Sequence, residues 1–320
     1  MTPDEDAIIR RMASSSARLP GGYLGPGDDV ALVPISRGRA VVKVDMLVGK
    51  TDVPRGMTMR QAARKAVAMC VSDFASKGVR PDSFLVSLGI PRGSTARQVE
   101  EVALGLYDAA SRWKLKLLGG DTNEAGDLIV DCVMLGSADR IVRRSGARPG
   151  EAVVTSGFFG YPPSGLKIML GSAVASQTFK RRALRSVVLP TPNLEVGVAL
   201  KPFLTSAMDS SDGLSKCLHT LAECSEVGIL VERIPIGPGV SGFAKANGLD
   251  ADELVLAGGE EYEIVGTVKV SSIQAAREAA RNAGGNLIVI GETNELAGSV
   301  RIRRGKRIVP LARRGWTHLA

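Results

Sequence analysis

Short runs rich in valine, isoleucine and leucine alternate with amphipathic stretches along this chain, and that alternation limits the folds open to it. In the first half, residues 30–35, 40–46, 83–90, 114–118 and 128–135 form such runs and predict strands. Between them, 58–77 and 95–112 carry apolar residues at helical spacing, with Thr58 and Thr95 placed as N-caps and Gly78 as a stop. Strands mixed with two long helices make an α/β layer. A turn-rich segment, Arg143-Arg144-Ser145-Gly146-Ala147-Arg148-Pro149-Gly150, then reads as a domain junction. Beyond it, strands are expected at 151–156, 228–233, 262–270, 286–291 and 299–309. Helices are expected at 164–170, 179–187, 194–202, 214–226 and 272–283. At 320 residues and 44% hydrophobic content the chain can fill two cores, one in 1–143 and one in 144–320.

No stretch approaches the roughly 20 unbroken apolar residues that span a bilayer. The acidic opening Met1-Thr2-Pro3-Asp4-Glu5-Asp6 lacks the basic-then-apolar order of a secretory signal. Cys70, Cys132, Cys217 and Cys224 are scattered without a C-x-x-C pair. That argues against a disulfide framework and a structural zinc site, and suits a reducing cytoplasm. Much of the formal charge of +8 sits near the C-terminus, where Arg301, Arg303, Arg304, Lys306, Arg307, Arg313 and Arg314 follow one another with no acidic residue between them. A basic strip can bind nucleic acid, but aromatic residues make up 4% of the chain and leave little to stack on bases. A solvated hairpin face is expected instead, whose field would also favour a small anionic substrate.

Chemistry is signalled by aspartates that stand beside small residues at the edges of apolar elements. Asp28 and Asp29 follow Gly27, Asp45 ends a strand, and Asp73 interrupts an apolar helix. Asp121 lies in Gly119-Gly120-Asp121-Thr122, straight after the run ending at Leu118, and Asp209 and Asp212 frame Met208-Asp209-Ser210-Ser211-Asp212-Gly213-Leu214. Any one of them could be a turn former or a cap, as Asp212 could be for the helix after Gly213. As a set they suggest a site, because carboxylates are costly to bury without compensation. Magnesium is held by a few carboxylates with waters and substrate phosphates, and the glycines let backbone amides approach phosphate oxygens. With only His219 and His318 present, histidine-based catalysis competes weakly.

Other nucleotide signatures fail. No G-x-G-x-x-G follows a strand, and the stretch nearest to a P-loop, Gly160-Tyr161-Pro162-Pro163-Ser164-Gly165-Leu166-Lys167, places its lysine one position late and contains two prolines. An ATP site in this chain would be built around metal ions.

Taken in order, GDD (27–29), D-M-L-V (45–48), S-D-F-A-S-K-G (72–78), G-G-D-T (119–122), R-S-G-A-R-P-G (144–150), D-S-S-D-G-L (209–214), G-G-E-E-Y-E (258–263) and G-W-T-H (315–318) carry a resemblance. The chain resembles the thiamine-monophosphate kinase family, within the superfamily that includes aminoimidazole ribonucleotide synthetase. The resemblance implies a two-domain PurM-like α/β architecture. Its N-terminal mixed sheet would pair with that of a second subunit in a homodimer, and a C-terminal α/β domain would close the site. It implies ATP and thiamine monophosphate as substrates and Mg²⁺ as the cofactor. Asp29, Asp45, Asp73, Asp121, Asp209 and Asp212 would hold metal, with Asp28 a second candidate at its doublet. Gly120, Asp121 and Ser211 would contact ATP, and Arg144 would pair with phosphate. Catalysis would rest on Asp121, Asp209 and Arg144. Asp52, Glu260 and Trp316 fall where the family contacts the thiamine part, and carboxylates and an indole face suit a cationic thiazolium. A packed terminal anchor is the plain alternative for Trp316.

Two positions depart from the family pattern. Lys43 and Val44 precede Asp45 where small hydroxyl residues are frequent, so Lys43 either points to solvent or supplies charge in place of one metal ion. Asp52 stands where some members have histidine. Three rival functions are weighed: another ATP-dependent synthetase of the superfamily, a nucleic-acid-binding protein using the 301–314 strip, and an inactive ATP-binding scaffold.

Overall fold

The structure is a computed structural model that describes residues 23–24, 28–35, 38–171 and 173–317; Gly27 and His318 lie outside the described residues. Strands β1 (Ala31–Pro34), β2 (Arg39–Val48), β3 (Pro81–Pro91), β4 (Lys116–Ala125) and β5 (Ile129–Ser137) form a sheet in the order β1-β2-β5-β3-β4. β3 and β4 are parallel and the other neighbours antiparallel, so the sheet is mixed. A short helix α1 (Gly49–Asp52) follows β2, while α2 (Met59–Ser76) and α3 (Ala96–Trp113) are the two long helices. Val41, Leu47, Phe84, Val86, Val130, Cys132 and Met134 share one buried core with both of these helices. Residues on the other face alternate with them, as strand geometry requires. On that face Val44, Met46 and Leu118 stay more than half exposed.

Both long helices begin in capping boxes, Thr58 with Gln61 and Thr95 with Gln98. α2 is buried over most of its length, and its inward residues include Arg64, Lys65 and Asp73 as well as alanine and valine. Its last turn lies against the second half of the chain, where a Cβ on Gly197 would come within 2.0 Å of the Ala75 carbonyl oxygen. Glycine is what lets these two backbones meet.

The second sheet holds β6 (Ala152–Thr155), β7 (Leu204–Asp209), β8 (Gly228–Val231), β9 (Ile264–Val268), β10 (Ile288–Asn294), β11 (Val300–Arg304) and β12 (Arg307–Pro310), in the order β12-β11-β8-β10-β6-β9-β7. Helices α4 (Tyr161–Met169), α5 (Gln177–Val188), α6 (Leu194–Leu200), α7 (Leu214–Ser225), α8 (Val240–Ala246), α9 (Ala251–Leu256) and α10 (Ile273–Asn282) accompany it. Both faces are covered. Val153 packs with Leu214 and Leu218 of α7, while Val154 packs with Val196 of α6 and Ala276 of α10. Burial on two sides explains why β6 and β8 read as continuous apolar runs.

Several boundaries differ from the sequence reading. The strand expected at 114–118 begins at Lys116 and continues through the glycines to Ala125, because backbone pairing with β3 carries it past Leu118. The strand expected at 299–309 is a hairpin that turns at Gly305, whose φ is 60°. The sequence reading did not anticipate α8 and α9. No helix among the described residues is long and apolar enough to cross a membrane.

Candidate functional site

Asp29, Asp73 and Asp209 converge although one precedes β1, one lies in α2 and one closes β7; each offers a buried carboxylate oxygen, and the three lie within 4.8 Å of one another. α2 supplies the surrounding hydroxyls. Ser72 Oγ donates to Asp209 Oδ2 at 2.9 Å and Ser76 Oγ donates to Asp29 Oδ2 at 3.3 Å. Spacing of three and four residues puts Ser72, Asp73, Ser76 and Lys77 on one side of the helix end.

Cations compensate this charge unevenly. Lys77, wholly buried, reaches Asp28 Oδ1 at 2.7 Å, Asp29 Oδ2 at 2.5 Å and the Ala207 carbonyl at 2.7 Å. Arg144 donates to Asp29 Oδ1 through Nε at 2.7 Å and through Nη2, and its backbone N–H donates to Asp28 at 3.1 Å. Burial alone would raise Asp29, but Lys77 and Arg144 outweigh it and hold that carboxyl at about 2. The far side is different. Burial, reinforced by Asp45 and Asp29, pushes Asp73 up to about 8 against the pull of Lys43. Burial, then Asp73 and Asp29, pushes Asp209 well above the usual carboxylate range. Asp45 is raised as well, by burial foremost. Three hard oxygens, of which Asp73 has Lys43 as its ion-pair partner and Asp209 is met by the Ser72 hydroxyl, suit a divalent cation such as Mg²⁺, so the residues present fit the metal.

The loop after Asp209 ties this cluster to a second group of residues. The Ser211 carbonyl accepts from the backbone N–H of Glu260 at 2.6 Å, and the Asp212 carbonyl accepts from that of Trp316 at 2.9 Å. Lys216 pairs with the Asp212 carboxylate at 3.0 Å and donates to the Trp316 carbonyl at 2.9 Å. Trp316 is 53% exposed. Glu260 and Tyr262 sit at φ 64° and 52°, a left-handed conformation costing about 1 kcal/mol or more for such residues. Across from them, the buried ammonium of Lys65 donates to the Asp52 carbonyl at 2.9 Å and pairs with the Glu260 carboxylate. The Asp52 carboxylate itself accepts from Val48 N–H at 2.7 Å and from Thr51.

Other expected site residues stay apart from the trio. Asp121 is exposed on β4, opposite Ser87, and the register puts it on the open face of the first sheet, away from α2. Gly120 has a structural reason to be glycine, since a Cβ there would fall 1.8 Å from the Val86 carbonyl oxygen. Asp212 is engaged with Lys216. Sequence reasoning overlooked Lys65 and Lys77. Their signal was present, as charges on the apolar side of α2 in step with Asp73. In the basic strip, Arg303 pairs with Glu232, Arg304 with Asp252, Arg313 with Glu223 and Arg314 with Glu253. With four of the seven cations of the strip paired to carboxylates, it offers a weaker phosphate track.

Known proteins resemble this chain in sequence and fold. Residues 27–138 match the family described as AIR synthase related protein, N-terminal domain. The thiamine-monophosphate kinase of Nitrosopumilus maritimus (strain SCM1) is 35% identical over 291 residues, covering 91% of this chain and 92% of that protein. That of Pyrococcus abyssi (strain GE5 / Orsay) is 36% identical over 296 residues, covering 92% and 90%. A solved structure of AaThiL complexed with AMPPCP and TMP superposes with a TM-score of 0.84 at 24% identity, covering 99% of this chain and 97% of that one. That likeness establishes the two-sheet PurM-like fold. At this identity and coverage, the chain belongs to the thiamine-monophosphate kinase family.

Proposed function

We propose that this protein is a thiamine-monophosphate kinase, which transfers the γ-phosphoryl group of ATP to the phosphate of thiamine monophosphate and releases thiamine diphosphate and ADP. The observation that carries this is the buried trio Asp29, Asp73 and Asp209 in a chain aligned over nine-tenths of its length with relatives of that activity. A phosphate oxygen of thiamine monophosphate forms the new bond to the γ-phosphorus as the bond to the β–γ bridging oxygen breaks. The acceptor is already ionised near neutral pH, so no general base is needed and catalysis rests on positioning and charge. Asp29, Asp45, Asp73 and Asp209 are assigned as Mg²⁺ ligands, with Asp28, Asp121 and Asp212 as further ones. Bound Mg²⁺ would neutralise charge developing on the transferring phosphoryl group. Gly120, Asp121 and Ser211 are assigned to ATP. Arg144 is assigned to phosphate, for which it would exchange its contact with Asp29.

Asp52, Glu260 and Trp316 are assigned to the thiamine part, supported by the hydrogen bonds that link Glu260 and Trp316 to the loop after Asp209. Residues 1–143 are assigned to metal, ATP and dimerisation and 144–320 to the second α/β domain, in keeping with the two sheets. The open face bearing Val44, Met46 and Leu118 supports a homodimer. Free thiols at Cys70, Cys132, Cys217 and Cys224 support a cytoplasmic setting.

Product analysis tests this function. Purified protein with Mg-ATP should convert thiamine monophosphate, and not free thiamine, to thiamine diphosphate with one ADP per product. No product from either acceptor would refute it. Within the substrate group, Glu260→Gln should raise KM for thiamine monophosphate roughly tenfold with little change in kcat, the loss of one charged contact made equally in ground and transition states. Steady-state kinetics at saturating ATP checks this, and a fall confined to kcat would move Glu260 out of substrate binding.

A further inference from the structure

Lys43 is the residue of the cluster that the family resemblance does not explain. Its ammonium does not face solvent. Nζ lies 2.8 Å from Asp73 Oδ2 and 3.7 Å from Asp45 Oδ2, with the lysine side chain 20% exposed. The placement follows from strand geometry: residues 43 and 45 share a face of β2, and that face packs on α2, which carries Asp73. The other two cations of the cluster are spent elsewhere, since Lys77 and Arg144 both serve Asp28 and Asp29. Asp73 and Asp45 therefore depend on Lys43. Two carboxylate oxygens converging on one buried charge is the environment a metal ion would otherwise occupy.

On the footing of the metal-dependent kinase reading, we propose that the Lys43 ammonium takes the place of one magnesium ion between Asp45 and Asp73. The protein would then assemble its nucleotide with one divalent ion fewer than it would with a small residue at that position. An ammonium offers three N–H donors and needs no octahedral shell of oxygen ligands, so it can hold Asp45 and Asp73 in place by hydrogen bonds where Mg²⁺ would need further ligands. The remaining ions would gather on Asp29, Asp209 and the free oxygens of Asp73 and Asp45.

Counting ions tests this without reference to turnover. Mn²⁺ is titrated into the protein saturated with AMPPCP, and free Mn²⁺ is read by electron paramagnetic resonance. Lys43→Ser should bind one more ion per chain than the parent. Lys43→Met keeps the aliphatic stem and its packing, and it too should bind one more. Equal counts in the parent and in whichever neutral variants fold would overturn the role of Lys43 alone. A parent that binds no Mn²⁺ beside the nucleotide would overturn the metal-dependent reading beneath it.

Discussion

Replacing Asp209 by asparagine should lower turnover by about three orders of magnitude while leaving the ligand-free protein at least as stable as the parent. The carboxylate is buried, and its hydrogen bond from Ser72 at 2.9 Å is one an amide oxygen can also accept. Burial first, then Asp73 and Asp29, raise its pKa well above the ordinary value. A carboxyl raised in the folded state costs stability once pH passes the unfolded value near 4, and costs nothing below it. Asparagine removes that cost. At pH 7 to 8 the variant should melt at or above the parent when metal and nucleotide are absent, and the two should converge as pH falls toward 4. Adding Mg²⁺ and AMPPCP should reverse the order, because only the parent gains the full binding free energy. Thermal melts with and without Mg-AMPPCP, beside steady-state kinetics, read both effects. A variant with near-parental kcat would remove Asp209 from the metal set. One that melts far below the parent without ligands would make the carboxylate a structural group instead.

Much of the frame was legible because local signals and tertiary structure agree. Thr58 and Thr95 are N-caps with their glutamine partners three residues on, and most apolar runs of both halves become strands close to their expected limits, apart from the extended β4 and the β11–β12 hairpin. The aspartates stood out as charge set in apolar context. Which of them converge was not legible, since Asp29, Asp73 and Asp209 meet only once α2 is laid against β7, while Asp121 and Asp212 stand in equally glycine-rich and serine-rich settings. Lys65 and Lys77 were passed over for a related reason, although both stand on the apolar side of α2. Lysine in an amphipathic helix is normally read as the wet face, yet here both ammoniums turn inward because their partners, Glu260, Asp28 and Asp29, arrive from distant segments. The ion pairs of the basic strip were out of sight for the same reason. Its acidic partners Glu223, Glu232, Asp252 and Glu253 are remote in sequence, so a local charge tally cannot find them.

Lys77→Met should cost about 3–5 kcal/mol at pH 7, the range for removing one member of a buried ion pair. At roughly 2–4 °C per kcal/mol for a protein of this size, the melting temperature should fall by about 10 °C. Methionine nearly matches lysine in length, so a cavity contributes little. The loss comes from the ammonium, whose three donors are all used, on Asp28, Asp29 and the Ala207 carbonyl. Those acceptors belong to the segment before β1 and to β7, so one buried charge fastens α2 to both halves of the chain. The pH dependence separates this cause from general misfolding. Asp29 is held at about 2 against an ordinary value of 3.8, worth about 2 kcal/mol of stability that is present above pH 4 and lost as pH falls toward 2. Without Lys77 much of that depression disappears, so the gap between parent and variant should be widest near neutrality and narrow on acidification. Arg144→Met should cost less, because that side chain is 26% exposed and its partner keeps Lys77. Urea denaturation at neutral pH and again near pH 3 reads the difference. If Lys77→Met instead unfolds within about 1 kcal/mol of the parent at pH 7, water or Arg144 must already satisfy Asp28 and Asp29, and Lys77 is not what joins the two halves at the site.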